Sequence, residues 1–326
     1  MADCHDLFRE FYEKIKLSSS KKSSLRKSRE GVRERIRNYF QETKKENVPN
    51  FKGQGSYYMA TTVNPLDEEY DIDDGVYLNN LPDDKGQWPT AETVHEWIRE
   101  AVEDHTSTPP QDKATCVRVI YEGDYHVDLP IYGIYAENAY LAVKGDKQWV
   151  ASEPIKLGDW FLDRVKEEGE QLRDIVLYLK AWADKKSNKM PNGLMLTVLS
   201  VENYRADERD DLAFSKTIES VYAVIKDNFS VKNPIDKSEE LTHRLSSAQK
   251  TNFKEALQVL VENSKEALGE PDKKKSSKIW QKEFGDRFPL CQDDTKQEKS
   301  SVAEVNIVRA RATNPWSWVC TDETYR

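Results

Sequence analysis

Residues 53–78 constrain this chain more than any other stretch, because they combine a small-residue corner with paired acids on a strand. The stretch reads Gly-Gln-Gly-Ser-Tyr-Tyr-Met-Ala-Thr-Thr-Val-Asn-Pro-Leu-Asp-Glu-Glu-Tyr-Asp-Ile-Asp-Asp-Gly-Val-Tyr-Leu. Its corner ends at Ser56, and the acids Asp71 and Asp73 follow after a short spacer. Residues i and i+2 of a strand point to the same face, so Asp71 and Asp73 share a face while Ile72 points into the core.

Two carboxylates on one face repel each other by about 4 kcal/mol at ~4 Å and an effective dielectric of ~20. A hard divalent cation offsets this repulsion, and Mg²⁺ favours one or two carboxylates together with phosphate oxygens and water. The Gly55–Ser56 corner offers backbone N–H groups and a hydroxyl to phosphate oxygens. Each piece alone is also typical of an acidic turn or a plain loop. Together they indicate metal-assisted phosphoryl or nucleotidyl transfer.

Residues 125–135 predict a strand that carries a third carboxylate. Apolar side chains alternate with polar ones along this run, and Asp128 stands in its middle. A lone aspartate is costly inside a sheet core, but it is well placed if it joins Asp71 and Asp73 across the sheet. The alternative is an exposed strand aspartate. A preceding strand over residues 114–121 shows the same alternation.

The text Gly-Gln-Gly-Ser followed by Glu-Tyr-Asp-Ile-Asp-Asp-Gly-Val-Tyr-Leu resembles the signature of polymerase-β-like nucleotidyltransferases. It is most similar to that of the bacterial cGAS/DncV-like nucleotidyltransferases (CD-NTases) of CBASS anti-phage systems. The run His-Val-Asp-Leu-Pro-Ile-Tyr around Asp128 is similar to the third-carboxylate strand of the same family. The resemblance spans about residues 50–290 of this sequence.

This resemblance implies that Asp71, Asp73 and Asp128 are the catalytic residues. They would also be the metal ligands for two Mg²⁺ ions ~3.5–4 Å apart, with Mn²⁺ as an alternative. Glu69 competes for the first-carboxylate role, because Glu69-Tyr70-Asp71 is similar to the Glu-Phe-Asp of animal cGAS; Asp71 and Asp73 match the bacterial branch better. We expect a structural role for His126, with a contact to the acceptor nucleotide as the alternative.

The resemblance also implies a set of nucleotide-binding positions. Lys180 matches a lysine that contacts the donor triphosphate, although it is also an ordinary helix lysine. Asn192 replaces a serine found in related turns, so phosphate binding there would use backbone N–H groups at a helix N-terminus. Tyr204 is predicted to stack on a base. The full set is Gln54, Gly55, Ser56, Lys180, Asn192 and Tyr204.

We predict an α+β fold with two domains. Residues 1–160 would form a polymerase-β-like catalytic core with a mixed sheet, including a long helix over 25–46. Residues 161–326 would form a helical domain similar to those of oligoadenylate synthetases and poly(A) polymerases, followed by a polar tail. The basic side chains of the long helix are expected on a solvated face, with a nucleic-acid surface as the alternative.

Further helices are predicted over 91–104, capped by Thr90, and over 212–228 and 247–268. The motif Trp-x-x-x-Phe-Gly-Asp-x-Phe-Pro over 280–289 is expected to be a packing corner.

Composition limits which partners and which cellular compartment fit this chain. The net charge is −9, so general nucleic-acid binding is not the default. Four scattered cysteines indicate a reducing compartment without a disulfide framework or zinc knuckle. An apolar run of ~18 residues is absent from the sequence, so no membrane span or membrane partner is predicted. With no signal peptide recognised at the start, the expected location is the bacterial cytoplasm.

The predicted activity is a magnesium-dependent synthesis of an adenine-containing cyclic di- or trinucleotide messenger from ATP and other NTPs, with release of pyrophosphate. The alternatives are a linear nucleotidyltransferase that makes oligoadenylate or extends tRNA ends, a toxin that AMPylates protein, and an inactive binding module. The terminal Arg326 differs from the small residue to which a partner is conjugated in many relatives. This favours another accessory system, such as a HORMA-domain activator with a Trip13-like ATPase, or none. A nucleic-acid activator is a further candidate partner.

Overall fold

A mixed β-sheet beside a set of α-helices makes up the described part of the chain, and the predicted α+β class is confirmed. The structure is a computed structural model that describes residues 2–66, 70–79, 81–122, 125–186 and 190–292. Met1–Cys291 form one compact unit. The polar tail predicted beyond residue 292, Arg326 included, lies outside the described residues.

Eight strands form one sheet in the order β3-β4-β5-β2-β6-β7-β8, and β1 pairs with β2 off this path. They are β1 (Asn50–Gln54), β2 (Tyr70–Tyr77), β3 (Gln111–Asp112), β4 (Val117–Tyr121), β5 (Tyr125–Leu129), β6 (Ile131–Tyr135), β7 (Asn138–Val143) and β8 (Gln148–Ala151).

Strand β2 is the centre of the sheet. It pairs antiparallel with β1 and parallel with both β5 and β6. Pro130 divides the predicted 125–135 strand into β5 and β6, since proline has no N–H to donate to a ladder. Its carbonyl still accepts a hydrogen bond from the Val76 N–H at 2.8 Å. Strands β5 and β6 therefore both remain paired with β2.

In the described part of the chain, ten α-helices surround the sheet or pack beyond it. They are α1 (His5–Ile15), α2 (Ser19–Asn38), α3 (Gly55–Tyr58), α4 (Ala91–Val102), α5 (Pro154–Glu168), α6 (Gln171–Asp184), α7 (Gly193–Glu202), α8 (Asp210–Ile225), α9 (Ser247–Gly269) and α10 (Lys273–Phe284).

Capping side chains decide where the predicted helices begin. The Thr90 hydroxyl accepts from the Thr93 N–H, which confirms the predicted cap of α4. The long helix predicted over 25–46 starts earlier, because the Ser18 side chain caps α2 by accepting from the Lys21 N–H. It also ends earlier as an α-helix and continues as a π-helical turn over Tyr39–Lys44.

The hydrophobic residues fall into two large clusters. In the first, α2 and α4 cover the sheet with apolar residues such as Val32 and Ile98, which are fully buried. The second is helical and contains α1 as well as α5 to α10. Phe8 of α1 lies edge-on to Tyr178 and Trp280, with ring centroids 5.1 Å and 5.0 Å away. Helix α1 thus packs in the same hydrophobic cluster as α5 to α10. The domain boundary predicted at residue 160 stays a prediction.

The motif over 280–289 forms the predicted packing corner. Trp280, Phe284 and Phe288 are buried, and each stacks or tilts against the others or against Phe8.

The basic face of α2 corrects one prediction. Arg33 is buried and not solvated; its Nε and a terminal nitrogen each donate to a different Asp74 carboxylate oxygen at 2.7 Å. Arg29 is buried beside it. The reason is that Asp74 alternates with Asp73 along β2 and points to the face that α2 covers.

Within the described ranges, no helix combines the length and apolar character needed to cross a membrane.

Candidate active site

Four polar side chains form a square on one face of the sheet. Strands β2 and β5 run parallel and in register, so Asp71 lies opposite His126 and Asp73 lies opposite Asp128. The intervening residues Ile72 and Val127 are fully buried on the other face. The i, i+2 spacing within each strand comes from the sequence, whereas the register between the strands comes from the fold.

Asp71, His126 and Asp128 converge, with one ligand atom from each lying within 4.8 Å of the others. Asp71 Oδ2 and His126 Nε2 lie 3.7 Å apart. Burial on its own would raise the pKa of Asp71, but His126 and Arg118 outweigh it and the pKa of Asp71 is lowered. The Asp71 side chain remains 42% exposed, so a ligand can reach it.

Asp73 completes the square next to the glycine corner. A Cβ placed on Gly55 would lie 2.2 Å from Asp73 Oδ2, and Gly55 has φ +67°, so glycine is required for both reasons. Burial, followed by repulsion from Asp71 and Asp128, raises the pKa of Asp73 to about 8. Burial and the neighbouring carboxylates thus both disfavour the charged form of Asp73, which a bound cation would favour.

Arg118 is a partner of the site that sequence reasoning missed. Its guanidinium donates to both Asp128 oxygens at 2.7 Å, and these charges raise the pKa of Arg118 against the effect of burial. A sequence signal existed, because β4 and β5 form a hairpin that pairs Tyr121 with Tyr125 and therefore Arg118 with Asp128. The residues Glu122-Gly123-Asp124 between the two predicted strands are typical of a tight turn, which could have supplied this register.

A cleft of about 320 Å³ opens beside the square, between the segment after α3 and the helices α6 and α7. Ser56 lines it, and its hydroxyl shares a hydrogen bond with Thr62 at 2.9 Å. Lys180 lines the opposite side; its ammonium donates to the Thr61 hydroxyl at 3.0 Å and the Thr61 carbonyl at 3.3 Å. Burial lowers the pKa of Lys180 to about 7, although Asp71 acts in the opposite direction.

Two further predicted binding residues lie around this cleft. Asn192 is the N-cap of α7, so this helix begins at the cleft. Its side chain already accepts a hydrogen bond from the Met195 N–H at 3.0 Å. Gln54 is buried and donates to the Tyr132 hydroxyl at 3.0 Å. Its carbonyl oxygen has no hydrogen-bond partner within the described residues.

Tyr204 does not join this group, and its predicted stacking role is not supported. The side chain is buried within the helical cluster, and its hydroxyl donates to Gln171 at 2.8 Å. A ring packed into a core has no free face for a base. The alternative first carboxylate, Glu69, lies outside the described residues.

The residues present fit a hard divalent cation. Three carboxylates face one side of two adjacent strands, and burial followed by repulsion from Asp71 and Asp128 raises the pKa of Asp73. Oxygen donors at such a site are those that Mg²⁺ prefers. Asp71, Asp73 and Asp128 would hold it.

The order of motifs along the chain matches one known family. Residues 49–132, which carry the glycine corner and all four polar residues of the square, match the family model described as "Cyclic GMP-AMP synthase DncV-like, nucleotidyltransferase domain". This part of the chain is therefore similar to a DncV-like nucleotidyltransferase domain. The match confirms the resemblance drawn from the two acidic strands.

Curated relatives of this DncV-like chain are distant. A cyclic GMP-AMP synthase of Escherichia albertii is 29% identical over 199 residues, which cover 57% of this chain and 44% of the relative. A c-di-GMP synthase of Roseivirga ehrenbergii is 24% identical over 228 residues, covering 58% of this chain and 59% of that protein. The chain spans about half the length of the curated relatives it matches.

Solved structures share the fold of the DncV-like chain. Vibrio cholerae DncV, described as a cyclic AMP-GMP synthase and a prokaryotic cGAS homologue, superimposes with a TM-score of 0.76 at 20% identity. The alignment covers 88% of this chain and 97% of that chain. A structure of the same protein with a linear intermediate gives a TM-score of 0.73 at 21% identity, over 86% and 97% of the two chains. The sheet and its helical partner therefore have the DncV arrangement.

Proposed function

We propose that this protein condenses nucleoside triphosphates into an adenine-containing cyclic di- or trinucleotide, releasing one pyrophosphate for each bond formed. The observation that carries this proposal is the square of Asp71, Asp73, Asp128 and His126, together with a cleft that Ser56 and Lys180 line. The relatives named above make cyclic GMP-AMP and c-di-GMP, which favours a dinucleotide ring. The finer setting that we propose is a bacterial anti-phage signal.

The donor triphosphate would lie in the cleft. The hydroxyl of Ser56 and the backbone N–H groups after Gly55 face phosphate oxygens there, and the Lys180 ammonium adds a positive charge from the other wall. Thr61 holds that ammonium in place by two hydrogen bonds. Asn192 would contribute through the helix it caps, because the N–H groups of Gly193 and Leu194 at the start of α7 would meet an anion beside the Met195 N–H that the cap already engages.

The reaction joins an acceptor hydroxyl to the α-phosphorus of the donor. A new P–O ester bond forms, the α–β phosphoanhydride bond breaks, pyrophosphate leaves, and the hydroxyl proton passes to a carboxylate of the cluster. Asp128, which Arg118 holds by two hydrogen bonds, would orient the acceptor hydroxyl. Bound at Asp71, Asp73 and Asp128, Mg²⁺ would supply charge neutralisation for the carboxylates and the transferring phosphoryl group.

The test is incubation of purified protein with four labelled NTPs and Mg²⁺, followed by phosphatase digestion and mass spectrometry. We expect a phosphatase-resistant product with the mass of a cyclic nucleotide. It should be lost with EDTA and in the Asp71→Asn/Asp73→Asn double variant, and retained in Asp146→Asn, which changes an exposed aspartate of the same chain.

Other results identify other activities. A product that phosphatase degrades indicates a linear nucleotidyltransferase, because a linear chain keeps a terminal phosphate. Label on protein indicates AMPylation. Protein that gives no product is assayed again with the products of neighbouring genes, including any HORMA-domain protein or Trip13-like ATPase, and with nucleic acid. Continued absence of product under all these conditions would leave the binding-module alternative.

A further inference from the structure

Arg287 lies within the motif over 280–289, whose aromatic residues are packed in the helical cluster. Its own side chain is only 13% exposed, and it extends toward α6 and toward the segment that follows α3. A buried guanidinium needs several hydrogen-bond acceptors, because its charge is costly away from water. The acceptors that Arg287 finds therefore indicate what it does beyond the packing corner.

The Arg287 guanidinium joins two backbone carbonyls from distant parts of the chain. One terminal nitrogen donates to the Asn64 carbonyl at 3.0 Å and the other to the Ala181 carbonyl at 2.8 Å. Ala181 lies in the last turn of α6, where carbonyls lack a helical partner and a cation is favourable. The first nitrogen also lies 2.9 Å from Asp184 Oδ2, which accepts from the Leu66 N–H at 3.2 Å. Arg287 thus fastens the end of α6 to the segment before β2.

Lys180 fastens the same two parts of the chain at the cleft. It lies on α6, and its ammonium donates to the hydroxyl and the carbonyl of Thr61. Thr61 stands three residues before Asn64, so one segment, residues 61–66, receives both cations. Lys180 and Thr61 line the cleft. The contact that Arg287 makes therefore lies beside the contact that orients the Lys180 ammonium.

The position of residues 61–66 depends on such contacts. The segment lies between α3 and β2, outside both, and forms an isolated bridge from Val63 to Lys16. A lysine ammonium has three N–H donors, and Lys180 uses two of them on Thr61, which leaves one for a phosphate oxygen. That third donor points in a fixed direction only while Thr61 stays in place.

We propose that Arg287 is a positioning residue for the donor triphosphate, because it holds residues 61–66 against α6 and so lets Thr61 aim the Lys180 ammonium into the cleft. Arg287 itself does not contact the nucleotide; it acts through Thr61 and Lys180. The inference rests on the proposed function, since it names a residue that supports the proposed triphosphate contact. Its first readout needs no nucleotide.

The first experiment measures amide hydrogen exchange of the unaltered full chain without nucleotide, by mass spectrometry of short peptides. We expect slow exchange at Asn64 and Leu66, whose N–H groups donate to a carbonyl of α1 and a carboxylate of α6. Exchange of residues 61–66 at the rate of an unstructured peptide overturns the proposal. This result does not depend on the folding of any variant.

The same measurement is repeated on Arg287→Gln, which is too short to reach both carbonyls. We expect exchange in residues 61–66 to become about 10-fold faster, with α9 unchanged. The matched control is Arg244→Gln, which removes an exposed ion pair to Glu239 and should leave residues 61–66 as they are. Faster exchange throughout Arg287→Gln, or no change in residues 61–66, contradicts the proposal.

A double-mutant cycle tests whether Arg287 acts through Lys180. Calorimetry measures the affinity of a non-hydrolysable ATP analogue with Mg²⁺ for wild type, Arg287→Gln, Lys180→Met and the double variant. We expect Arg287→Gln to weaken binding about 10-fold in wild type and less than about 2-fold in Lys180→Met, because coupled residues are not additive. Equal losses in both backgrounds would assign Arg287 a purely structural role.

These outcomes separate the positioning role from the reaction. A protein in which Arg287→Gln speeds exchange of residues 61–66, but which binds no triphosphate and forms no cyclic product, loses the proposed function while Arg287 still holds the segment. A protein that forms the cyclic product, with additive losses in the cycle, keeps the proposed function and overturns the positioning role.

Discussion

At the scale of single residues, Lys180 shows how the fold tunes a charge for a ligand. Its ammonium is held by Thr61 in a partly buried position, and burial lowers the pKa of Lys180 to about 7. A triphosphate placed beside it would favour the charged form and raise that pKa again. The charged form of Lys180 is thus unfavourable in the free protein and becomes favourable when an anion binds beside it.

We predict that nucleotide binding takes up a proton through Lys180. At pH 8 the free amine is mostly neutral, so binding of a non-hydrolysable ATP analogue should take up nearly one proton, about 0.9 for a pKa of about 7. Affinity should therefore fall as pH rises above 7. Isothermal titration calorimetry in two buffers with different ionisation enthalpies measures the uptake.

Lys180→Met is the control for this linkage, because it removes the titrating group and retains most of the side-chain volume. The variant should bind the analogue without this uptake. Equal proton uptake by wild type and Lys180→Met would assign the proton to another group.

At the scale of elements, the pair of β2 with α2 depends on one buried ion pair. Arg33 makes two 2.7 Å hydrogen bonds to Asp74, which is completely buried. Asp74 directly follows the catalytic candidate Asp73, so this pair also holds the acidic strand against its covering helix. A buried charge that loses its partner destabilises a fold far more than an exposed one does.

We predict that Arg33→Met lowers the free energy of unfolding by about 3–5 kcal/mol, since it leaves the Asp74 carboxylate buried without its cation. The matched control is Arg164→Met, which removes exposed ion pairs to Glu167 and Glu168 on α5 and should cost less than about 1 kcal/mol. Urea denaturation of both variants measures the difference. Similar losses in the two variants would show that the Arg33 pair contributes no more than a surface pair.

At the scale of the whole molecule, the candidate cleft joins the two hydrophobic clusters. Ser56 comes from the segment attached to the sheet, and Lys180 from a helix of the helical cluster. A triphosphate bound to both would link the two parts and stabilise the folded state by mass action.

We predict that a non-hydrolysable ATP analogue with Mg²⁺ raises the melting temperature by several degrees. At a concentration of 100 times Kd the stabilisation is about 2.7 kcal/mol. Ser56→Ala and Lys180→Met should each reduce the shift, because each removes a contact from a different wall of the cleft. Differential scanning fluorimetry measures it, with Ser238→Ala, a change at an exposed serine, as the control. A shift that survives either variant unchanged would place the triphosphate elsewhere.

The local pattern of residues was sufficient to predict much of the structure of this protein. The strand with Asp71 and Asp73, the cap at Thr90 and the face shared by His126 and Asp128 all follow from spacing along one segment, whereas the α+β class came from the family resemblance. Such features depend on the strand period and on side chains a few residues apart, which the order of residues states directly. The family resemblance came from the same short segments.

Only the tertiary structure decided which distant groups meet. The register between β2 and β5 brings His126 opposite Asp71, and helix packing buries Arg33 on Asp74 and Tyr204 in the helical cluster. Periodicity along a segment shows which face a side chain occupies, but the partner on that face comes from a segment many residues away. Contacts of that kind depend on the packing of whole elements, so the sequence alone determined the acids of this site and the fold determined their neighbours.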